Sequence, residues 1–138
     1  MLAAVAPAQE SGNWRAGSST AKGVTGDIAF YNQKVAIDLS SYTVAQIRRL
    51  TADEITALFS SADGQTGAGN LYRTDIPGDK RFLHKNTLCG SEPTEWIATF
   101  VSGHTLQVAF FSGLKMPALT PDAMANTTDL CGTYSYVR

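Results

Sequence analysis

Apolar residues recur at every second position along much of this chain. Val35, Ile37 and Leu39 alternate with Lys34, Ala36 and Asp38, and Leu106, Val108 and Phe110 alternate with Thr105, Gln107 and Ala109. Trp96, Ala98 and Phe100 alternate in the same way with Ile97, Thr99 and Val101. A period of two places successive side chains on opposite faces of an extended chain, so each run predicts a strand. Ser102-Gly103 lies between the last two runs and predicts a tight turn, hence a hairpin of residues 95–101 and 105–111. Asn32-Gln33 predicts a second hairpin, joining 27–31 to 34–39. Shorter strands are expected at 70–75, 81–84 and 132–137, the last with Tyr134 and Tyr136 on one face.

One segment breaks the alternation. Thr51-Ala52-Asp53-Glu54 is a capping box, followed by Ile55, Leu58 and Phe59 at helical spacing, which predicts a helix over about 52–59. Residues 42–50 fit either period: Val44, Ile47 and Leu50 as one face of a helix, or Tyr42, Val44 and Gln46 as one face of a strand. Residues 61–70 read as a Gly-rich loop, 76–80 as a turn centred on Pro77-Gly78, and 112–130 as an irregular connection. Together these predict a mainly β fold, a small antiparallel β-barrel or sandwich with one short helix. Residues 11–138 are expected to form one domain. Residues 1–10 are set aside: Ala6-Pro7-Ala8 fits the small-x-small pattern of a signal-peptidase site, so the stretch is the remnant of a signal peptide or a disordered N-terminus.

Composition narrows the function classes. In 138 residues, 43% are hydrophobic and 17% charged, and the net charge is −1. That supports a packed core and argues against a disordered chain or a general nucleic-acid-binding surface. No apolar run approaches the ~20 residues of a membrane-spanning helix. Cys89 and Cys131 each sit in a Leu-Cys-Gly triplet and have one possible intramolecular pairing. In an exported chain they form a disulfide; in a cytosolic one they are buried thiols.

Candidate chemistry is sparse. Ser19-Thr20-Ala21-Lys22 matches the Ser-x-x-Lys motif of penicillin-recognising enzymes, but Gly17 and Gly23 flank it and the companion motifs are missing, so it reads as a chance match. Gly64, Gly67 and Gly69 lack the Lys-Ser/Thr of a phosphate loop and read as a surface loop. His84 and His104 have no metal-ligand spacing, and Glu92 and Glu95 beside Pro93 read as a solvated turn. No catalytic residue, metal ligand or cofactor is assigned. Asn126-Thr127-Thr128 is a glycosylation sequon, informative only in a eukaryotic secretory host. The densest local feature is charge: Arg73, Lys80, Arg81, His84 and Lys85, partly offset by Asp75 and Asp79. If 70–75 pairs with 81–85 across the Pro-Gly turn, Arg73, Arg81, His84 and Lys85 form one cationic edge able to hold an anionic envelope component or an acidic protein partner. The plainer reading is that Lys and Arg guard a sheet edge against aggregation.

Leu71-Tyr72-Arg73, Asn86-Thr87-Leu88-Cys89-Gly90, Trp96 and Leu130-Cys131-Gly132-Thr133-Tyr134 together carry a resemblance. The chain resembles a group of small secreted proteins of Gram-negative bacteria with paired Leu-Cys-Gly motifs, over about residues 25–138. In size and architecture it is more loosely similar to the periplasmic lysozyme-inhibitor barrels. The resemblance implies a periplasmic or secreted location and supplies no catalytic residues. The resulting expectation is a non-enzymatic periplasmic or secreted binding module, such as an inhibitor or a binder of envelope components. The alternatives are a small secreted hydrolase with an unrecognised site and a structural accessory of an envelope complex.

Overall fold

Antiparallel strands dominate the computed structural model, which describes residues 10–60 and 67–138. In chain order the elements are β1 (Gly12–Ala16), α1 (Ser19–Val24), β2 (Ile28–Tyr31), β3 (Lys34–Ile37), β4 (Ser40–Thr43), β5 (Ala45–Arg49), α2 (Ala52–Phe59), β6 (Ala68–Ile76), β7 (Thr94–Ser102), β8 (Thr105–Phe111), α3 (Pro121–Asn126) and β9 (Leu130–Val137). They form one nine-stranded sheet in the order β4-β3-β2-β1-β9-β8-β7-β6-β5. The hydrogen-bonded ladder is open, yet its outermost strands, β4 and β5, are consecutive pieces of chain separated by Val44 alone. Val44 donates its N–H to the Gln33 carbonyl, and the Thr74 hydroxyl of β6 bonds the Thr43 carbonyl of β4. One bent stretch, 40–49, thus supplies both edges of a barrel-like sheet.

The predicted alternation holds where a strand has one buried face. Ile28, Phe30, Val35 and Ile37 of β2 and β3 join Tyr72, Ile97, Leu106, Phe110 and Tyr136 in a single interior cluster. Phe30 lies 6.4 Å from Tyr72 between ring centroids, although β2 and β6 are far apart in the sheet order. β6, β7 and β8 are buried on both faces. Their outer side chains Leu71, Trp96, Ala98, Phe100 and Phe111 pack with Leu50, Ile55, Leu58 and Leu119. Gly69 makes that approach possible, since a Cβ there would crowd Leu50 at 3.2 Å and Ile55 at 3.3 Å, as well as the Thr99 carbonyl oxygen at 2.6 Å. This residue of the supposed Gly-rich loop is therefore a buried strand position. Residues 61–66, including Gly64, lie outside the described residues.

Several expectations are corrected. Among the described residues three short α-helices are present rather than one. α1 is capped by the Ser18 hydroxyl, which accepts from Ala21 N–H; α3 is capped by Thr120, with Pro121 at its first position. Of the two readings of residues 42–50 the strand is realised, in β4 up to Thr43 and in β5 over Ala45–Arg49, with a register shift between Gln46 and Arg48 that breaks the simple period of two. β3 ends at Ile37 because Asp38 and Leu39 form a turn at φ 47° and 70°. The β7–β8 turn is Gly103-His104, one residue later than expected, and Gly103 supplies the positive φ of 59°. The second turn is likewise shifted: the Lys80 N–H bonds the Pro77 carbonyl, which centres it on Gly78-Asp79.

The predicted α2 stands as drawn. Thr51 Oγ1 accepts from Glu54 N–H, and Glu54 Oε1 accepts from Thr51 N–H. Arg48 grips the same carboxylate through Nη1 at 2.7 Å and Nη2 at 2.8 Å. These Arg48 bonds, against an opposing effect of burial and with help from the Thr51 amide, hold the Glu54 carboxyl below its usual value. A depressed folded-state pKa stabilises the fold fully above the unfolded carboxylate value of about 4.3, and the contribution is lost as pH falls through the folded value. In urea titrations Glu54→Gln should therefore be less stable than wild type at pH 7. The gap should narrow as pH falls below about 4.3. A gap that stays constant down to acid unfolding would show that the ionised carboxylate is not its source.

No helix among the described residues is long and apolar enough to cross a membrane.

Candidate functional site

Strand direction gathers two long loops at one end of the sheet. β6 and β8 end there and β7 and β9 begin there, so residues 77–93 and 112–129 project from the same end. The Cys89–Cys131 disulfide, with Cα atoms 5.0 Å apart, ties the first loop to the start of β9. The two cysteines are paired rather than buried as thiols, and neither is free.

Phe82 and Leu88 anchor the 77–93 loop in the core, with Phe82 edge-on to Tyr42 at 6.3 Å. Between these anchors Leu83–Lys85 forms a 3-10 turn in which His84 and Lys85 take positive φ of 56° and 62°. Phe82 N–H bonds the Asn86 carbonyl at 2.7 Å and closes the turn. Residues 81–84 are therefore not a strand, and β6 pairs with β5 and β7 instead. A buried Phe82 ring and two left-handed residues, His84 and Lys85, curl the chain where a short strand was expected. Arg81, His84 and Lys85 are exposed, and Arg81 Nη1 donates to the Lys85 carbonyl at 3.3 Å. A shallow depression of about 390 Å³ lies beside them, lined by Gly78, Asp79, Arg81, Thr87, Gly90 and Ser91.

Arg73 has a different environment. Its guanidinium lies over the Trp96 ring at 4.6 Å, pairs with Glu95 at 3.4 Å and donates to the Leu114 carbonyl. It braces the 112–129 loop rather than sharing a strand edge with Arg81. Glu95, expected in a solvated turn, is 8% exposed in β7, whereas Glu92 is exposed. Ser19 and Lys22 lie on α1, which is helical despite the flanking glycines, and both are exposed. His104 is exposed in the β7–β8 turn, and Asn126 is exposed at the end of α3. Among the described residues no three His, Cys, Asp or Glu gather closely enough to hold a metal ion.

A second constellation went unforeseen. Glu10, placed outside the fold by the sequence reading, is 1% exposed and sits within the sheet; residues 1–9 lie outside the described residues. Its Oε1 accepts from the Tyr72 hydroxyl at 2.6 Å, and its Oε2 from the Thr99 hydroxyl at 2.6 Å. Asn70 Nδ2 reaches both oxygens, at 3.4 and 3.2 Å, while Gln46 Nε2 donates to Asn70 Oδ1 at 2.8 Å. Burial first, then the bond to Glu10, pushes the Tyr72 hydroxyl well above the ordinary phenol value, so it remains a donor through neutral and alkaline pH.

With both sites described, comparison with known proteins adds no assignment. No family model, no curated protein and no solved structure matches this chain.

Proposed function

We propose that the protein is a non-enzymatic binding module of the periplasm or the secreted fraction, and that it presents its disulfide-tied end to an anionic envelope component or an acidic protein surface. The display of Arg81, His84 and Lys85 carries this reading. All three are exposed on a loop held by buried Phe82 and Leu88 and closed by the Cys89–Cys131 bond. A loop braced in this way loses little conformational freedom when a partner binds. Exposed cations raise the encounter rate and orient an acidic partner more than they add raw affinity. The disulfide suits an oxidising compartment.

Arg73 is a packing residue, so charge reversal belongs at Arg81 and Lys85. Wild type and Arg81→Glu/Lys85→Glu are compared in pull-downs from envelope extract at about 50 and 500 mM salt. These bracket weak and strong screening. Wild type should retain partners at low salt, lose most of them at high salt, and retain few in the variant. Identical partners for both proteins at both salt levels would reduce the cluster to a guard of the loop surface. Turnover of a generic ester or glycan, abolished by one Ser, His or Glu substitution, would replace the binding reading with the hydrolase one.

A further inference from the structure

Three neutral donors converge inside the sheet on one anionic group, and only that group comes from outside the ladder. Asn70 and Tyr72 are two apart on β6 and share its inner face, and Thr99 is the ladder partner of Asn70 on β7. Backbone pairing therefore aims the donors whether or not Glu10 is present. Gln46 fixes the Asn70 amide so that its NH2 faces inward. Thr99 is 0% exposed, Tyr72 6% and Asn70 7%. Glu10 arrives from ahead of β1 and is steadied there by Trp14 Nε1, which donates to its carbonyl at 2.7 Å.

We infer that Tyr72, Thr99 and Asn70 form a carboxylate-binding site of the barrel-like sheet, filled by the chain's own Glu10 and open to another carboxylate when Glu10 is withdrawn. The donor pattern selects the ligand class. Each carboxylate oxygen takes one hydroxyl and one contact from the shared amide, which suits a planar, two-oxygen monoanion. The donors carry no charge, so a dianion such as phosphate or sulfate would bring a second, uncompensated charge into a buried place. Without Glu10 the Tyr72 hydroxyl and the Asn70 amide would lose their acceptor and Thr99 would keep only a long 3.5 Å bond to the Asn70 carbonyl, a state costly enough to favour recruiting a replacement acceptor.

Glu10→Ala removes the CH2–carboxylate unit, which is the size of acetate. The thermal midpoint of the full-length variant is measured against increasing acetate, with chloride, sulfate and acetamide as controls at matched ionic strength. At about ten times the acetate Kd the midpoint should rise by about 4 °C. Wild type, and Glu10→Ala carrying Thr99→Val as well, should not respond. If Glu10→Ala is unfolded in chloride, recovery of its far-ultraviolet circular dichroism in acetate is the same readout. A synthetic peptide of residues 8–12, Ala-Gln-Glu-Ser-Gly, distinguishes the source. A response to acetate alone assigns the site to small free carboxylates, and a response to the peptide as well assigns it to acidic segments. Equal responses to acetate, chloride and acetamide, or none to any of them, would overturn the site.

Discussion

Phe110→Ala is expected to destabilise the fold by about 3–5 kcal/mol, the range for deleting a fully buried aromatic ring. Phe110 is 0% exposed and meets Tyr134 edge to face at 5.1 Å. Its ladder partners are Ile97 on β7 and Gly132 on β9. Gly132 has no side chain to move into the space, so the cavity persists and the cost should fall in the upper part of that range. Urea unfolding provides the measurement: the midpoint should drop at unchanged slope. A loss below about 1 kcal/mol would mean that the ring does not pack in the interior, since a one-residue slip exchanges the faces of a strand.

Removing the disulfide should cost a similar amount. Cys89 and Cys131 are 42 positions apart, and in the chain-entropy treatment a closed loop of that length stabilises by about 4 kcal/mol. Against a typical domain stability of about 5–15 kcal/mol, Cys89→Ser/Cys131→Ser should fold marginally at body temperature. The loss should also be local. The bond holds the 77–93 loop rather than a ladder, so proteolysis should begin between Pro77 and Pro93 before the sheet unfolds. A double variant with the wild-type urea midpoint and no early cleavage would show that buried Phe82 and Leu88 hold the loop unaided.

The central hairpin was legible because β7 and β8 carry long alternating runs on either side of a Gly-containing turn. α2 was legible because its capping box is local. What was missed has physical causes. α1 and α3 are six residues each, too short for a helical period to register, although Ser18 and the Thr120-Pro121 pair are capping signals. β1 buries only Trp14 among its five residues, so it shows no alternation. A short strand is expected at 81–84, yet the turn after Phe82 depends on core contacts that no local pattern encodes. Leu39 continues the spacing of Val35 and Ile37 but sits fully exposed in a turn. Of the four candidate site residues, Arg81, His84 and Lys85 are displayed together, while Arg73 is committed to Trp96 and Glu95. Glu10 was invisible for another reason. Its side-chain partners lie 60, 62 and 89 positions away, and a Glu beside a small, apolar stretch reads as surface.

Every ladder but one joins strands that follow one another in the chain; the exception is β1 with β9. β2–β3, β3–β4 and β7–β8 close two-residue turns at little entropic cost, and the other sequential ladders span connections whose closure entropy grows only slowly with length, so most of the sheet can assemble by accretion along the chain. The β1–β9 seam must bring together the two ends of the described chain for only two register pairs, Arg15 with Val137 and Ala16 with Tyr136. It has the longest search and the shortest ladder. The contacts around it read as staples: Arg138 over the Trp14 ring at 4.2 Å, Arg138 to the Ser11 carbonyl, and Gly17 N–H to the Ser135 carbonyl. On this topology the sheet should zip up in sequence order and be buttoned last at the β1–β9 seam, which is where partial opening should start.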